Sequence, residues 1–582
     1  MVEPKLIAAR LADVTNVIAR SICNISGVAG MSVGVVHHGE VIYTDNLGTR
    51  HVNRDEPSWV PTSKTIYNIG SISKSFAAAA IGRLFHDSDH VDWYTPVEEI
   101  LQDFQPADKR LRGLLATSDF MSHRSGLFGD LSLALQGDFE FLLPRQELVR
   151  TVGQLETIAP FRQSWHYNNW GYSVVGEIIE ELSGRDFGDY LDETVIGPLN
   201  LSDTTSRPNF GDAHDFADAH FSLRDGTCYP APRRYYFKDS LFEAAAGIYS
   251  NVDEMLQWGL AILRAESNPD TSPLRHMQIS TLVSNQIPLD NPSHDFRFYG
   301  MGWIRTQLPG VVGLQGDNPE LLELHELPVL GAGGPSMLTY YHQSSAPGYY
   351  SAIFLFPETE SVVVVMTNSM PLNDAADWII QAYISALFNF PTTADYVELA
   401  ERSGKSKLQK SDEVLKRMRE IRDNHPHDKP LPASTYVGTY VNSIKNFHIE
   451  ILEGPTGPGH PQDTRHLEMR FQGRESQRYQ LRHLYGQVYE WAVDFDEAAK
   501  RGRAVIWDPE YFLVHFTLGA DGSRANALSW AAFTDVRPGG IIMHRDDDRE
   551  GNGRVVEESS FSIGGMLRNV CCSLLGRFVG EL

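Results

Sequence analysis

Cysteine is scarce, with Cys23, Cys228, Cys571 and Cys572 the four in 582 residues. They show no CxxC spacing, and Cys571 and Cys572 are adjacent, so neither a disulfide framework nor a zinc site is expected. Long apolar runs are missing too. The longest, such as Val362–Met366, fall far short of a membrane span. The opening MVEPKLIAARLADVTNVIARSI holds no apolar stretch of roughly 7–15 residues, which argues against a secretory signal. Its Leu6, Ile7, Leu11, Val14 and Ile18 instead predict an amphipathic helix. Basic residues number 50 against 75 acidic ones, a formal net charge of −25. A nucleic-acid binder needs a basic face to neutralise phosphates, and an anionic membrane surface would repel this chain. The expectation is a cytoplasmic protein with neither nucleic acid nor membrane among its partners.

What is present reads as globular: 42% of residues are hydrophobic and 21% charged. Single cores stop growing near about 250–300 residues, so at least two domains are expected. MSVGVVHHGEVIY predicts a hairpin turning at His38-Gly39. SISKSFAAAAIGRLFH predicts a helix opened by Ser71. Residues 95–265 read mostly as helices, the clearest being GYSVVGEIIEELSG with its stop at Gly184. Strands return in MLTYYHQSS, YYSAIFLFP and SVVVVMTNS, with Pro357-Glu358-Thr359-Glu360 as a turn, and 373–390 predicts a closing helix. Pairing of the terminal strands would give an α/β (α+β) sandwich with one central antiparallel sheet and a helical insertion. Residues 401–432, charged and then broken by His425-Pro426 and Pro430-Leu431-Pro432, read as a helical, Pro-rich linker. Short alternating segments follow over 433–548: TYVGTYV, FHIEIL, HLEMRF, RYQLRHL, YEWAV, AVIWD, FLVHFTL and ALSWAAF. They predict a small antiparallel β-barrel. The expected division is therefore 1–400, the linker 401–432, the barrel 433–548 and a tail 549–582.

The chemistry centres on Ser71-Ile72-Ser73-Lys74. Residues three apart at a helix start share a face, so Lys74 can reach the Ser71 hydroxyl. A serine is a poor nucleophile until a neighbouring base takes its proton, and a lysine becomes such a base when burial or nearby cations disfavour its ammonium form. The helix N-terminus would add backbone N–H groups where an oxyanion forms. Alone, S-x-x-K is a weak signal, equally a helix cap beside a solvated lysine. Two further motifs strengthen it: Tyr167-Asn168-Asn169 ahead of GYSVVGEIIEELSG, and His342-Gln343-Ser344 at the end of a strand.

In that order the three motifs resemble the serine β-lactamase and penicillin-binding-protein superfamily. With IYNIGSISKSF, FMSHRSGLF, AAAGIYSNVDEMLQWGLAIL, YGMGW and PETESVVVVMTNS, they are similar to its class C β-lactamase-like branch of esterases, transacylases and D-aminopeptidases. The resemblance covers roughly residues 8–390, and the later barrel is similar to the lipocalin-like domain of some members. It implies Ser71 as the acylated nucleophile, Lys74 as general base and Tyr167 as proton relay. Asn169 would hydrogen-bond lysine and substrate, and His342 would orient Tyr167 or bind the substrate carbonyl side. The backbone N–H groups of Ser71 and Ser345 would form the oxyanion hole. Ser344 departs from the family's glycine, a change expected to narrow or re-polarise the site.

Elsewhere the plain readings prevail. His123 is expected to hold a loop, and His37-His38, His425 and His427 to sit in turns. Leu324-His325-Glu326-Leu327 lacks the second histidine of a zinc protease. Gly331–Gly334 reads as a loop, and Asp546-Asp547-Asp548 as a charged run. Trp165 and Trp170 divide between pocket lining and core. The resulting expectation is a cofactor- and metal-free serine hydrolase or acyltransferase. Its substrate would be a small-molecule ester or thioester, free or carrier-bound, in an intracellular biosynthetic role. A D-amino-acid-specific peptidase or β-lactamase-type hydrolase is the first rival, and a catalytically silent scaffold the second.

Overall fold

The computed structural model describes residues 4–52, 59–209, 215–232, 237–290, 296–391, 393–454, 467–503, 506, 508–530 and 540–546. The expected tail 549–582, with Cys571 and Cys572, lies outside them, as do Asp547, Asp548 and most of the AVIWD segment. Helix α1 (Pro4–Asp13) leads through a π-helical stretch, Val14–Ala19, into Arg20–Ser26. Ile7, Leu11 and Val14 of the predicted stripe are buried, whereas Leu6 is 56% exposed.

The central sheet is built from β1 (Gly30–His37), β2 (Glu40–Gly48), β3 (Ile287–Pro288), β4 (Phe298–Tyr299), β5 (Ile304–Leu308), β6 (Met337–Ala346), β7 (Tyr349–Phe356) and β8 (Ser361–Thr367). Its order is β2-β1-β8-β7-β6-β5-β4-β3, with antiparallel neighbours throughout. The terminal strands do pair, Met31 opposite Thr367 and Val36 opposite Val362. The hairpin turns where expected: His38 and Gly39 both have positive φ, 53° and 76°, as a two-residue turn matched to strand twist requires. Both sheet faces are covered, which explains the unbroken apolar run of β8. Val362, Val364 and Met366 join one core cluster, and Val363 and Val365 the other.

Helix α2 (Ser73–Asp87), α3 (Asn169–Ser183) and α4 (Val252–Ser267) belong to the insertion and pack on the first face. Helix α5 (Ala375–Phe388) closes the second. Gly34 of β1 permits α4 to approach: a Cβ there would stand 2.4 Å from Val252 Cγ1 and 2.7 Å from Leu256 Cδ1.

The expected linker is different in kind. Helix α6 (Tyr396–Asp423) is 28 residues long and crosses the boundary drawn at 400. It buries Lys407, paired with Asp317 at 3.3 Å, and Arg422 reaches Glu490 at 2.8 Å. Beyond it β9 (Gly438–Val441), β10 (His448–Glu453), β11 (Leu467–Phe471), β12 (Arg478–Tyr485), β13 (Val488–Glu490), β14 (Leu513–Leu518), β15 (Ala525–Trp530) and β16 (Ile541–Arg545) form a closed barrel in chain order. Among the barrel's buried rings, Phe471, Tyr479, Trp491 and Trp530 pack against one another.

Candidate active site

A tight 3₁₀ turn, Gly70–Ile72, delivers Ser71 to the start of α2, so the helix proper begins two residues later than the sequence suggests. A short ladder of Tyr67–Asn68 with Tyr249–Ser250 fixes this turn against the segment that carries Ala245. Asn68 reinforces it, accepting from Gly70 N–H at 2.8 Å and donating to the Ala246 carbonyl at 3.1 Å. Tyr167 and Asn169 are set by the cap of α3. Asn168 Oδ1 accepts from Gly171 N–H at 3.2 Å, and Asn168 N–H donates to His123 Nδ1 at 3.1 Å. His123 thus holds a loop, as expected.

These elements converge on one hydroxyl. Lys74 Nζ lies 2.9 Å from Ser71 Oγ, 2.7 Å from Asn169 Oδ1 and 3.0 Å from the Ala245 carbonyl. Tyr167 donates its hydroxyl hydrogen to Ser71 Oγ at 2.8 Å. Burial pushes the Lys74 amine well below its usual pKa. A neutral amine here gives its two hydrogens to the two carbonyl-type oxygens, which leaves its lone pair aimed at Ser71. Burial also raises the Tyr167 phenol, so it stays protonated near neutral pH. The Ala245 carbonyl carries no side-chain signature, and the sequence does not mark it.

Two expected roles change. His342 is fully buried, and its hydrogen bonds go to neither Ser71 nor Tyr167. Its Nε2 lies 3.0 Å from the Tyr299 hydroxyl, and its Nδ1 lies 2.6 Å from the Gln343 carbonyl. Burial, then Lys74, lower its pKa to about 3, so the ring is neutral, and Gln315 Nε2 also lies 3.0 Å from Nδ1. Its reach towards Tyr167 passes through the aromatic cluster of Tyr299 and His123. The oxyanion hole is also altered. Ser71 N–H donates to Ser344 Oγ at 2.9 Å, so the serine that replaces glycine occupies one of the two expected donors. Gly70 makes room for it: φ is +45° and a Cβ would lie 2.1 Å from Ser344 Oγ. Ser345 is exposed at the strand end.

Ser71, Tyr167, Asn169 and Ser345 line a cavity of about 230 Å³, whose other walls include Leu135, Phe141, Phe242 and Met370. Gly502, Arg503 and Tyr511, from the connection between β13 and β14, also line it. Trp170 belongs to the core, donating from Nε1 to the Asp130 carbonyl at 2.7 Å. Among the described residues no cluster of potential metal ligands occurs, and no helix is long and apolar enough to cross a membrane.

The Ser71 hydroxyl, with the buried Lys74, Tyr167 and Asn169 gathered around it, is the candidate active site of a serine hydrolase fold. Residues 18–385 match the Beta-lactamase family, and the chain belongs to it. Over 301 residues it is 28% identical to "Unguisins hydrolase ungD'" of Aspergillus campestris, covering 49% of this chain and 53% of that one. The D-aminopeptidase of Gluconobacter oxydans is 23% identical over 331 residues, 54% of this chain and 56% of the relative. The match thus spans about half the length of these curated relatives. An octameric penicillin-binding protein homologue from Pyrococcus abyssi superposes with a TM-score of 0.49 at 18% identity, covering 89% of this chain and 97% of that one.

Proposed function

We propose that the protein is a cytoplasmic serine hydrolase or acyltransferase that forms an acyl-enzyme on Ser71 from an ester or thioester, in a biosynthetic role. The observation that carries this reading is the buried Lys74 Nζ, within hydrogen-bond distance of Ser71 Oγ, Asn169 Oδ1 and the Ala245 carbonyl. In the reaction Ser71 Oγ attacks the carbonyl while its proton passes to Lys74. The new oxyanion is met by backbone N–H groups. Tyr167 gives its proton to the departing oxygen or sulfur and regains one from Lys74. Water, or an acceptor alcohol or amine, then releases the acyl group through the same relay run backwards. With Ser344 already on the Ser71 N–H, oxyanion stabilisation is reduced unless that hydroxyl moves. Activated carbonyls tolerate this better than amides, and the apolar cavity suits an acyl chain.

A D-amino-acid-specific amidase is the second reading, supported by similarity to the Gluconobacter D-aminopeptidase. The test is labelling with a fluorophosphonate, read by intact mass, followed by a panel of acyl esters, acyl thioesters and D-amino amides. Labelling lost in Ser71→Ala and faster turnover of esters or thioesters is the expected result. Preference for D-amino amides would select the second reading, and silence throughout would leave a scaffold.

A further inference from the structure

The cavity beside Ser71 has one feature that an aliphatic acyl chain leaves unused. Among the described residues a single charged side chain lines it, Arg503, and no carboxylate does. Arg503 comes from the barrel, in the long connection between β13 and β14, and is only 5% exposed. Its Nη2 donates to Gln136 Oε1 at 3.2 Å. The guanidinium lies over the rings of Trp491 and Tyr479, at 4.6 Å and 5.0 Å. Its Nη1 has no hydrogen-bond partner among the described residues. The acid next to it, Asp138, is engaged by Arg501 at 2.7 Å.

A buried cation that must share its nearest acid, Asp138, with Arg501 is only partly compensated, and the two ring faces offset only part of the remaining cost. The usual resolution is an anion held by the guanidinium fork, for which a carboxylate is the geometric match. Apolar walls with Ser71 at one side and Arg503 at another describe the complement of a particular ligand: an apolar body with a reactive carbonyl and a distal carboxylate.

We propose that the acyl group taken by Ser71 carries a carboxylate at its far end, and that Arg503 of the barrel binds it. The inference rests on the acyl-enzyme reading above and narrows its substrate class. It also gives the barrel a task, since the residue that selects the substrate is supplied from outside the catalytic layer. The competing role for Arg503 is a strut, its guanidinium stacked between barrel rings and the Gln136 loop.

The experiment compares p-nitrophenyl monoesters of succinic, adipic and suberic acid with p-nitrophenyl butyrate, hexanoate and octanoate. Wild type should favour at least one carboxylate ester over its uncharged partner about ten- to hundredfold in kcat/KM, the range of a charge-assisted hydrogen bond. Arg503→Gln should erase that ratio, through KM more than kcat, and Arg503→Lys should restore part of it. Gln136→Glu, which sets a rival carboxylate beside Arg503, should erase it with the guanidinium still in place. A wild-type ratio at or below one, or equal loss on both ester series in Arg503→Gln, would overturn the proposal. Calorimetric binding of suberate and octanoate to Ser71→Ala separates the two layers. Arg503-dependent suberate binding would uphold the subsite even if Ser71 never acylates. Equal binding of the two acids would overturn it even if Ser71 does.

Discussion

Ser71 accepts a hydrogen from Tyr167 and lies 2.9 Å from Lys74 Nζ, so in the proposed mechanism its own proton leaves towards Lys74. That direction sets the pH behaviour. Lys74 must be neutral to act, so the acylation rate rises with pH as Nζ loses its proton. Burial places this limb below the ordinary lysine value of about 10.4. Tyr167 must stay protonated, and its raised pKa moves the falling limb above the ordinary tyrosine value of about 10. Stopped-flow labelling across pH should show both limbs. Lys74→Ala should lose the rising limb together with about 10²–10⁴-fold in rate, and Tyr167→Phe a similar factor. A loss under tenfold with an unchanged profile would route the proton elsewhere. Ser344 adds a second expectation at this scale. Its hydroxyl must leave the Ser71 N–H before an oxyanion can use that donor, a neutral hydrogen bond worth about 1 kcal/mol, or roughly fivefold. Ser344→Ala, which removes the hydroxyl and keeps the Cβ, should therefore acylate several-fold faster. Ser344→Gly should gain further on bulky lactams, more than on linear esters. Slower acylation in both variants would mean that the hydroxyl itself serves the oxyanion.

Elements carry these residues only as well as their packing allows, and one close contact between elements is that of α4 on β1 at Gly34. An added methyl meets Val252 Cγ1 and Leu256 Cδ1 well inside contact distance. Gly34→Ala should lower stability by about 1–3 kcal/mol. Urea unfolding should show this as a reduced midpoint at unchanged slope, with the acylation rate of the folded fraction retained. An unshifted midpoint would mean that α4 yields freely. Legibility in the sequence followed the chemistry of each element. The β1–β2 hairpin, α3 with Gly184 and the strands β6 to β8 were readable, because apolar period, turn residues and caps all agree there. Helix α6 was legible as a helix but not as a packed one. Its buried face passes through Ser403, Gly404, Lys407 and Ser411 between Leu399 and Val414, which interrupts the apolar stripe. The helical turn Phe495–Lys500 was hidden for a related reason, a short insert within a run of strand-like segments. In the site, Ser71, Lys74, Tyr167 and Asn169 were found by motif. The Ala245 carbonyl and the Ser344–Ser71 contact were not, since a backbone acceptor has no residue signature and the contact spans 273 residues.

At the scale of the molecule, the barrel and the catalytic layer share more than a tether. The barrel grips the segment from Gln136 to Thr151. Arg474 donates to the Phe141 carbonyl at 2.8 Å, Gln477 to the Gly137 carbonyl at 3.0 Å and Tyr479 to the Gln136 carbonyl at 2.8 Å. Asn446 donates to Thr151 Oγ1, also at 2.8 Å. Both bodies contribute to one contiguous apolar cluster. The covalent link is by contrast open: after α6 ends at Asp423, residues 424–432 are all exposed. Proteases need extended, accessible chain, which α6 denies them and this stretch offers. Limited proteolysis should therefore cut within 424–432 and spare 396–423. The interface should then hold the two fragments together: the nicked protein should elute as one species, still label at Ser71, and separate only in denaturant. Because Gly137 and Gln136 line the cavity and are also gripped by the barrel, separation should alter substrate preference as well as mass. A 1–423 fragment that elutes alone with an unchanged substrate profile would show that the barrel is a passive appendage.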